Sequence, residues 1–339
     1  MKRINVLDCT FRDGGYVNDW EFGYGNGKSI SDLIWRSGVD FIEVGFIDKY
    51  EYQKDHFKFS EMSQITDTFR PSPCKLAAMI NIGYGYPLSK IPPRSDKTVD
   101  LIRVVMWKRL LKEGVEYCKA LKDKGYDVSV QATRTDQYSL EEFKVLINMF
   151  NELQPYSLYI VDTFGLFDKE SLLEYIDVAD SNLTESARLG YHAHNNMQQA
   201  FSNMLTVAEH NCNHKLMFDA SVLGMGRGAG NLCLELLLKY LNEKGEGEYN
   251  EEPLMDVAEN YILPFYRESP WGYSYPYLLS AKNKRNPEYV SYLMKAGLSI
   301  PQIAKAFELM REREVGITYD TQMCDKLIDE ITHNRDINS

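Results

Sequence analysis

The chain has 339 residues, 44% hydrophobic and 26% charged, with a formal net charge of −11. This composition excludes a disordered or fibrous protein and allows a large core, while the acidic balance argues against nucleic acid or an anionic membrane, since either needs clustered Lys and Arg. Six widely spaced cysteines without a CxxC pair, no apolar leader after Met1-Lys2-Arg3, and no apolar stretch near the ~20 residues of a membrane span predict a cytoplasmic chain with reduced thiols.

In chain order, short apolar β-branched runs alternate with segments of helical spacing. Strands are predicted at 4–8, 41–46, 75–82, 101–106, 127–132, 158–162, 188–194 and 216–221. The segment 109–124 carries Leu110, Leu111, Val115, Cys118 and Leu121 on one stripe and stops at Gly125. Ser139 and Glu142 form a capping box opening the next helix, followed by helices at 168–183, 198–210 and 231–244. With a helix after every strand, eight repeats favour a closed (β/α)8 TIM barrel over residues 1–247. From 248 to 339 the strand signals stop. Pro253, Pro264, an aromatic stretch at 270–277 and helices at 301–313 and 321–332 predict a helical C-terminal domain, either a lid over the barrel mouth or a partner-binding module.

Active sites of such barrels form at the C-terminal ends of the strands. Arg12 and Asp13 follow the first strand, Glu43 lies in the second, Gln131 near the end of the fifth and Asp162 at the end of the sixth. His192 and His194 lie in the seventh, and Ser221 closes the eighth. Residues i and i+2 of a strand share a face, so His192 and His194 project together. An isolated His-x-His is as readily a pair of hydrogen-bonded imidazoles; at a strand end, with a carboxylate to complete two His and one acid, a metal chelate is favoured. Arg12-Asp13-Gly14-Gly15 offers that carboxylate beside a cation. Gly224-Met-Gly-Arg-Gly-Ala-Gly-Asn231 reads either as a tight connector or as backbone N–H groups presented to an anion at a helix start.

Five stretches together resemble the DRE-TIM metallolyases: 7–14 (LDCTFRDG), 42–44 (IEV), 162–165 (DTFG), 190–195 (GYHAHN) and 223–231 (LGMGRGAGN). The resemblance runs over about residues 4 to 245 and is nearest the 4-hydroxy-2-oxoacid aldolase branch and the HMG-CoA lyase-like family. It implies an aldolase that makes or breaks a C–C bond through a pyruvate enolate, with a hydroxylated, sugar-like aldehyde as the other half. It further implies that Asp13, His192 and His194, with Asn231 close by, bind Mn2+ or Mg2+, with Co2+ or Zn2+ as alternatives. Arg12 would stabilise the enolate oxygen, and Glu43 would orient Arg12 or a metal-bound water. Asp162, Gln131, Ser221 and Arg227 are expected to contact substrate.

Two departures from the pattern matter. Tyr16 stands where the aldolases have a catalytic His, leaving Tyr16, Asp19, Tyr273 or a water on the metal as candidate bases. Arg227 stands where the aldolase loop has a small residue, and either recognises a carboxylate or phosphate or reaches solvent. The partners expected are a small 2-oxo acid and an aldehyde, a homo-oligomer, and an aldehyde dehydrogenase recruited by the helical domain. Two other readings remain at this point: an acyl-CoA Claisen-type condensing enzyme or HMG-CoA-type lyase, and a metal-binding barrel that has lost catalysis and serves assembly.

Overall fold

A computed structural model describes residues 4–69, 73–313 and 319–333, so that Met1 to Arg3, read above for a leader, lie outside the described residues. Eight parallel strands close into a barrel: β1 Ile4–Asp8, β2 Phe41–Ile47, β3 Lys75–Asn81, β4 Leu101–Met106, β5 Asp127–Ala132, β6 Ser157–Asp162, β7 Arg188–Ala193 and β8 Leu216–Ala220. Closure comes from β1, which pairs with β8 along its whole length and with β2 at Leu7↔Phe41 and Asp8↔Ile42. Parallel barrel strands are covered on both faces, which is why these segments read as continuous apolar runs.

The predicted strands are all present, but the expectation of a helix after each is corrected at one place. Between β3 and β4 the described residues form only the 3-10 turns Ile82–Tyr84 and Leu88–Lys90. Gly83, Gly85, Pro87, Pro92 and Pro93 remove both the helical preference and several N–H donors there. Elsewhere the caps behave as read: Ser139 and Glu142 bond reciprocally ahead of Leu140–Asn151, and Asp168 accepts from Ser171 N ahead of Lys169–Asn182. No described helix is long and apolar enough to cross a membrane.

The mouth is shaped by one bend in β2. Gly45 has φ +140° where the register of β2 against β3 shifts, and a side chain there would collide with the Phe57 carbonyl. The space admits a two-residue strand, Lys58–Phe59, against Phe46–Ile47. It also seats Phe57 5.1 Å from Phe11, which packs edge-on to Phe22 and Phe69. At about 0.5–1.5 kcal/mol per pair beyond area burial, this aromatic cluster clamps the turn that carries Arg12 and Asp13.

A large core runs from Ile4 to Ile262 and Trp271, a small separate cluster of strand residues includes Leu7, Phe41, Leu101, Tyr159 and Met217, and another core gathers Leu279, Tyr289, Leu293, Phe307, Met310 and Leu327 from the C-terminal helices. The segment between the large core and the C-terminal one is tied to the barrel loop after β8: Trp271 Nε1 donates to the Leu223 carbonyl at 2.9 Å and Gly272 N to the Gly228 carbonyl at 3.3 Å.

Candidate metal centre and active site

Four strands and their loops bring charged side chains into one buried cluster. Arg12, on the turn after β1, donates from Nε to Glu43 on β2 at 2.8 Å and from Nη1 to Asp13 Oδ1. Arg103, in the middle of β4, donates to the same Glu43 oxygen at 2.7 Å, to Gln131 Oε1 at 2.9 Å and to Asp219 Oδ2 on β8. Asp219 Oδ2 lies 2.9 Å from His192 Nδ1. Arg12, Asp13, Glu43, Arg103 and Asp219 are all within 5% of complete burial. Two guanidiniums against three carboxylates leave the cluster one negative charge, which an added divalent cation would turn positive.

The histidine tautomers follow from what their Nδ1 atoms face. His194 Nδ1 lies 3.0 Å from the Asp162 carbonyl oxygen, which can only accept, so that nitrogen carries the proton. His192 Nδ1 faces the Asp219 carboxylate in the same way. Both Nε2 atoms are therefore lone-pair donors, and both lack a hydrogen-bond partner, as does Asp13 Oδ2. The three point at one another: Asp13 Oδ2 is 3.3 Å from His194 Nε2 and 3.9 Å from His192 Nε2, and all three ligand atoms lie within 4.8 Å. Three buried lone pairs facing each other with no proton between them repel, whereas ligands on ~2.1 Å bonds to one cation stand about 3 Å or more apart. Asn231, whose backbone bridges to His194, donates from Nδ2 to the Met225 carbonyl at 3.0 Å and leaves its Oδ1 unpartnered. These residues fit a divalent metal, with second-sphere partners already in place.

Electrostatics agree with that fit. Burial lowers His192 to about 4, outweighing the Asp219 pull that would raise it, so the imidazole is neutral at pH 7. Burial works to raise Asp13, but the Arg12 guanidinium beside it draws the carboxyl down, well below the usual range.

A second group, Asp180, Cys212 and His214, also keeps its ligand atoms within 4.8 Å. Here the atoms are spent on each other. Asp180 Oδ1 accepts from Cys212 Sγ and lies against His214 Nδ1, both at 2.8 Å, and also takes the backbone N–H of Asn213. This is a staple tying the loop before β8 to the helix Lys169–Asn182. Burial works to raise Asp180, but the bonds from Cys212, His214 and Asn213 outweigh it and hold it at about 2, below its ordinary 3.8. A depressed carboxyl stabilises the fold fully above about pH 4 and loses that contribution as pH falls through 2. The stability gap between wild type and Asp180→Asn is thus expected to be open at pH 7 and closed near pH 2 in urea titrations; a gap that does not change with pH would remove the staple.

The remaining sequence-predicted residues fall into three groups. Gln131 lies inside the barrel, accepting from Arg103 and donating to Ser129 at 2.8 Å. Asp162 spends its carboxylate on Leu166 N and Phe167 N, and its carbonyl orients His194. Gly165 makes that turn possible, since at φ +62° a side chain would press on the His194 carbonyl. Ser221 is buried under Asn231, 3.5 Å from its Nδ2. At the mouth, Tyr16 packs on Trp20 and lies under Arg227, whose guanidinium carbon is 5.2 Å from the ring centre. Tyr273 is half exposed on the segment laid against the glycine loop, outside the buried ligand cluster, and Asp19 is paired to Lys58 at 2.5 Å with its side chain mostly exposed. The glycine loop is bonded at both ends, and the helix after it starts later than expected. The last helix starts at Leu234, and the N–H groups of Gly224, Met225, Gly230 and Asn231 already donate to backbone carbonyls. Arg103 and Asp219 are the residues the sequence reading missed; each is a lone charge inside an apolar strand, LIRVVM and LMFDA.

Residues 102–260 match the HMGL-like family model. This stretch, just under half of the chain, is similar to an HMGL-like domain. That domain holds Arg103, Asp162, both histidines, Asp219 and Asn231, and the resemblance to the DRE-TIM superfamily read from the motifs stands with it. A 4-hydroxy-2-oxovalerate aldolase of Geobacillus genomosp. 3 is 25% identical over 272 residues, 79% of either chain. An oxaloacetate decarboxylase of Mycobacterium tuberculosis is 22% identical over 283 residues, 80% of this chain and 81% of its own. In structure, the N-terminal domain of a candidate aldolase from Bacteroides vulgatus superposes with a TM-score of 0.71 at 24% identity, covering 89% of this chain and 99% of that one.

Proposed function

We propose that this DRE-TIM metallolyase is a divalent-metal-dependent aldolase that cleaves or forms a 4-hydroxy-2-oxo acid through a pyruvate enolate. The chain is an enzyme of the lyase class. The convergence of Asp13 Oδ2, His192 Nε2 and His194 Nε2 beside a fixed Arg12 carries the reading. Asp13, His192, His194 and Asn231 would hold Mn2+ or Mg2+, which when bound supplies Lewis-acid polarisation of the keto acid.

The chain's own residues do the rest. Arg12 is held on two sides, by Glu43 and Asp13, so its remaining N–H groups are aimed without reorganisation at an oxygen gaining negative charge. Arg103 bonds both Glu43 and Asp219, draws the Asp219 carboxyl down against the burial that would raise it, and through the two acids orients Arg12 and His192. Although 40% of Tyr16 is exposed, burial around its hydroxyl pushes it up to about 12 against the pull of Arg227, so the phenol stays protonated at neutral pH. It can donate a hydrogen bond to a substrate hydroxyl but is a poor base, and the Tyr-for-His replacement moves proton abstraction to another group. Breaking the C3–C4 bond, whose electron pair passes into the C2 keto group, leaves the same pyruvate enolate whether the other fragment is an aldehyde or carbon dioxide. This is the chemistry shared by the aldolase and decarboxylase named above.

The test is a retro-aldol assay: Mn2+-loaded protein with a panel of 4-hydroxy-2-oxo acids should release pyruvate, and prior chelation should stop it. Arg12→Lys, which keeps the charge but loses the two-sided hold, is expected to lower kcat by about 10^2 with little change in metal content. An unchanged kcat would exclude the enolate role.

A further inference from the structure

Arg227 is the cation at the mouth that the scheme above leaves unused. Its side chain is 16% exposed, and its Nε is buried with no hydrogen-bond partner. Nη1 reaches Glu288 Oε1 at 3.4 Å, a stretched pair beside the 2.8 Å contact of Arg12 with Glu43. Glu288 comes from the other core, in the first turn of the helix Pro287–Lys295, and its side chain is one-third exposed. The guanidinium lies over Tyr16, whose backbone N–H donates to the Asp13 carbonyl, so it is one ring away from the proposed metal ligands.

A guanidinium is charged at every physiological pH and satisfies a carboxylate or phosphate best through two parallel N–H bonds. Here the fork is half used: one Nη on a long contact and a buried Nε on none. Tyr16 fixes its plane, while Glu288 can swing to water without stranding a buried charge.

We infer that Arg227 selects an aldehyde bearing an anionic group, carboxylate or phosphate, at the end remote from the new C–C bond, and that Glu288 keeps the place until that anion displaces it. The identity of the ligand as an aldehyde rests on the aldolase reading; the anion site itself rests on the unfilled fork. The loop N–H groups of Gly224, Met225, Gly230 and Asn231 are already bonded, so the charge that recognises the anion comes from the Arg227 side chain. The helical domain thereby takes part in specificity, through Glu288.

The experiment is calorimetric titration of the Mn2+-loaded protein, with oxalate present, by glyceraldehyde 3-phosphate, succinic semialdehyde and propanal. Wild type should bind one or both anionic aldehydes at least about tenfold more tightly than propanal, the stronger arm deciding between phosphate and carboxylate. Arg227→Met should bring that ratio close to one, and Arg227→Lys should restore part of it. Glu288→Gln should tighten the anionic aldehydes several-fold while leaving propanal unchanged, which a merely structural ion pair would not do. A wild-type ratio near one, or a ratio that survives in Arg227→Met, overturns the inference. Exchange of pyruvate methyl protons in D2O, which needs no aldehyde, is followed in parallel. Its absence in wild type overturns the aldolase reading, while the binding ratios still decide Arg227.

Discussion

Asp13→Asn is expected to lower metal-dependent turnover by on the order of 10^3 and to lose most of the bound metal, because it removes the anionic member of the ligand set. The amide keeps an oxygen in place but offers Arg12 no charge, so the guanidinium loses one of its two anchors at the same time. His192→Ala should act through the metal alone, leaving Asp219 facing a cavity. Metal content by plasma emission and the Mn2+-induced rise in Tm check both variants independently of any substrate. Asp180→Asn serves as the control from the hydrogen-bonded staple, and its metal content should match wild type. Full metal-dependent turnover in Asp13→Asn would sink the assignment.

Arg103→Met is expected to carry the largest stability loss, about 3–5 kcal/mol, because it leaves Asp219 in the barrel interior with no cation, facing only the neutral His192, and leaves Glu43 with Arg12 alone. The volume is nearly conserved, so the loss measures uncompensated charge rather than a cavity. Raising the pH should worsen it, since Asp219, buried without its guanidinium, ionises more fully. Arg103→Lys keeps one charge but cannot reach three partners with a fork, and should fall between. Urea unfolding at pH 7 decides it: an Arg103→Met protein within about 1 kcal/mol of wild type would show that the network contributes little net stability.

Much of this was visible in one dimension, for identifiable reasons. The eight strands could be read because each is buried on both faces and therefore uniformly apolar. His192 and His194 could be paired because strand geometry relates i to i+2 with no knowledge of the fold. The missing helix after β3 shows the opposite case, where the expectation of regular alternation overrode the prolines and glycines at that spot. Arg103 and Asp219 are lone charges in apolar strands, a signal passed over in the sequence, which in any case offers no way to see that they meet across 116 positions. Asp162 and Gln131 were rightly placed at strand ends, yet whether a polar group faces substrate or satisfies a neighbour depends on which donors surround it.

The sequence by itself determined the barrel, the strand-end addresses of the polar residues and the motif set, because these follow from local periodicity and residue type. Only the tertiary structure decided which lone pairs are left over. The Asp219 and Asp162 contacts set the histidine tautomers, the Asp13 and Asn231 oxygens remain unpaired, and Arg227 ends at Glu288 from another core. A free lone pair or an unfilled donor is defined by what surrounds it, and those surroundings come from residues far apart in the chain.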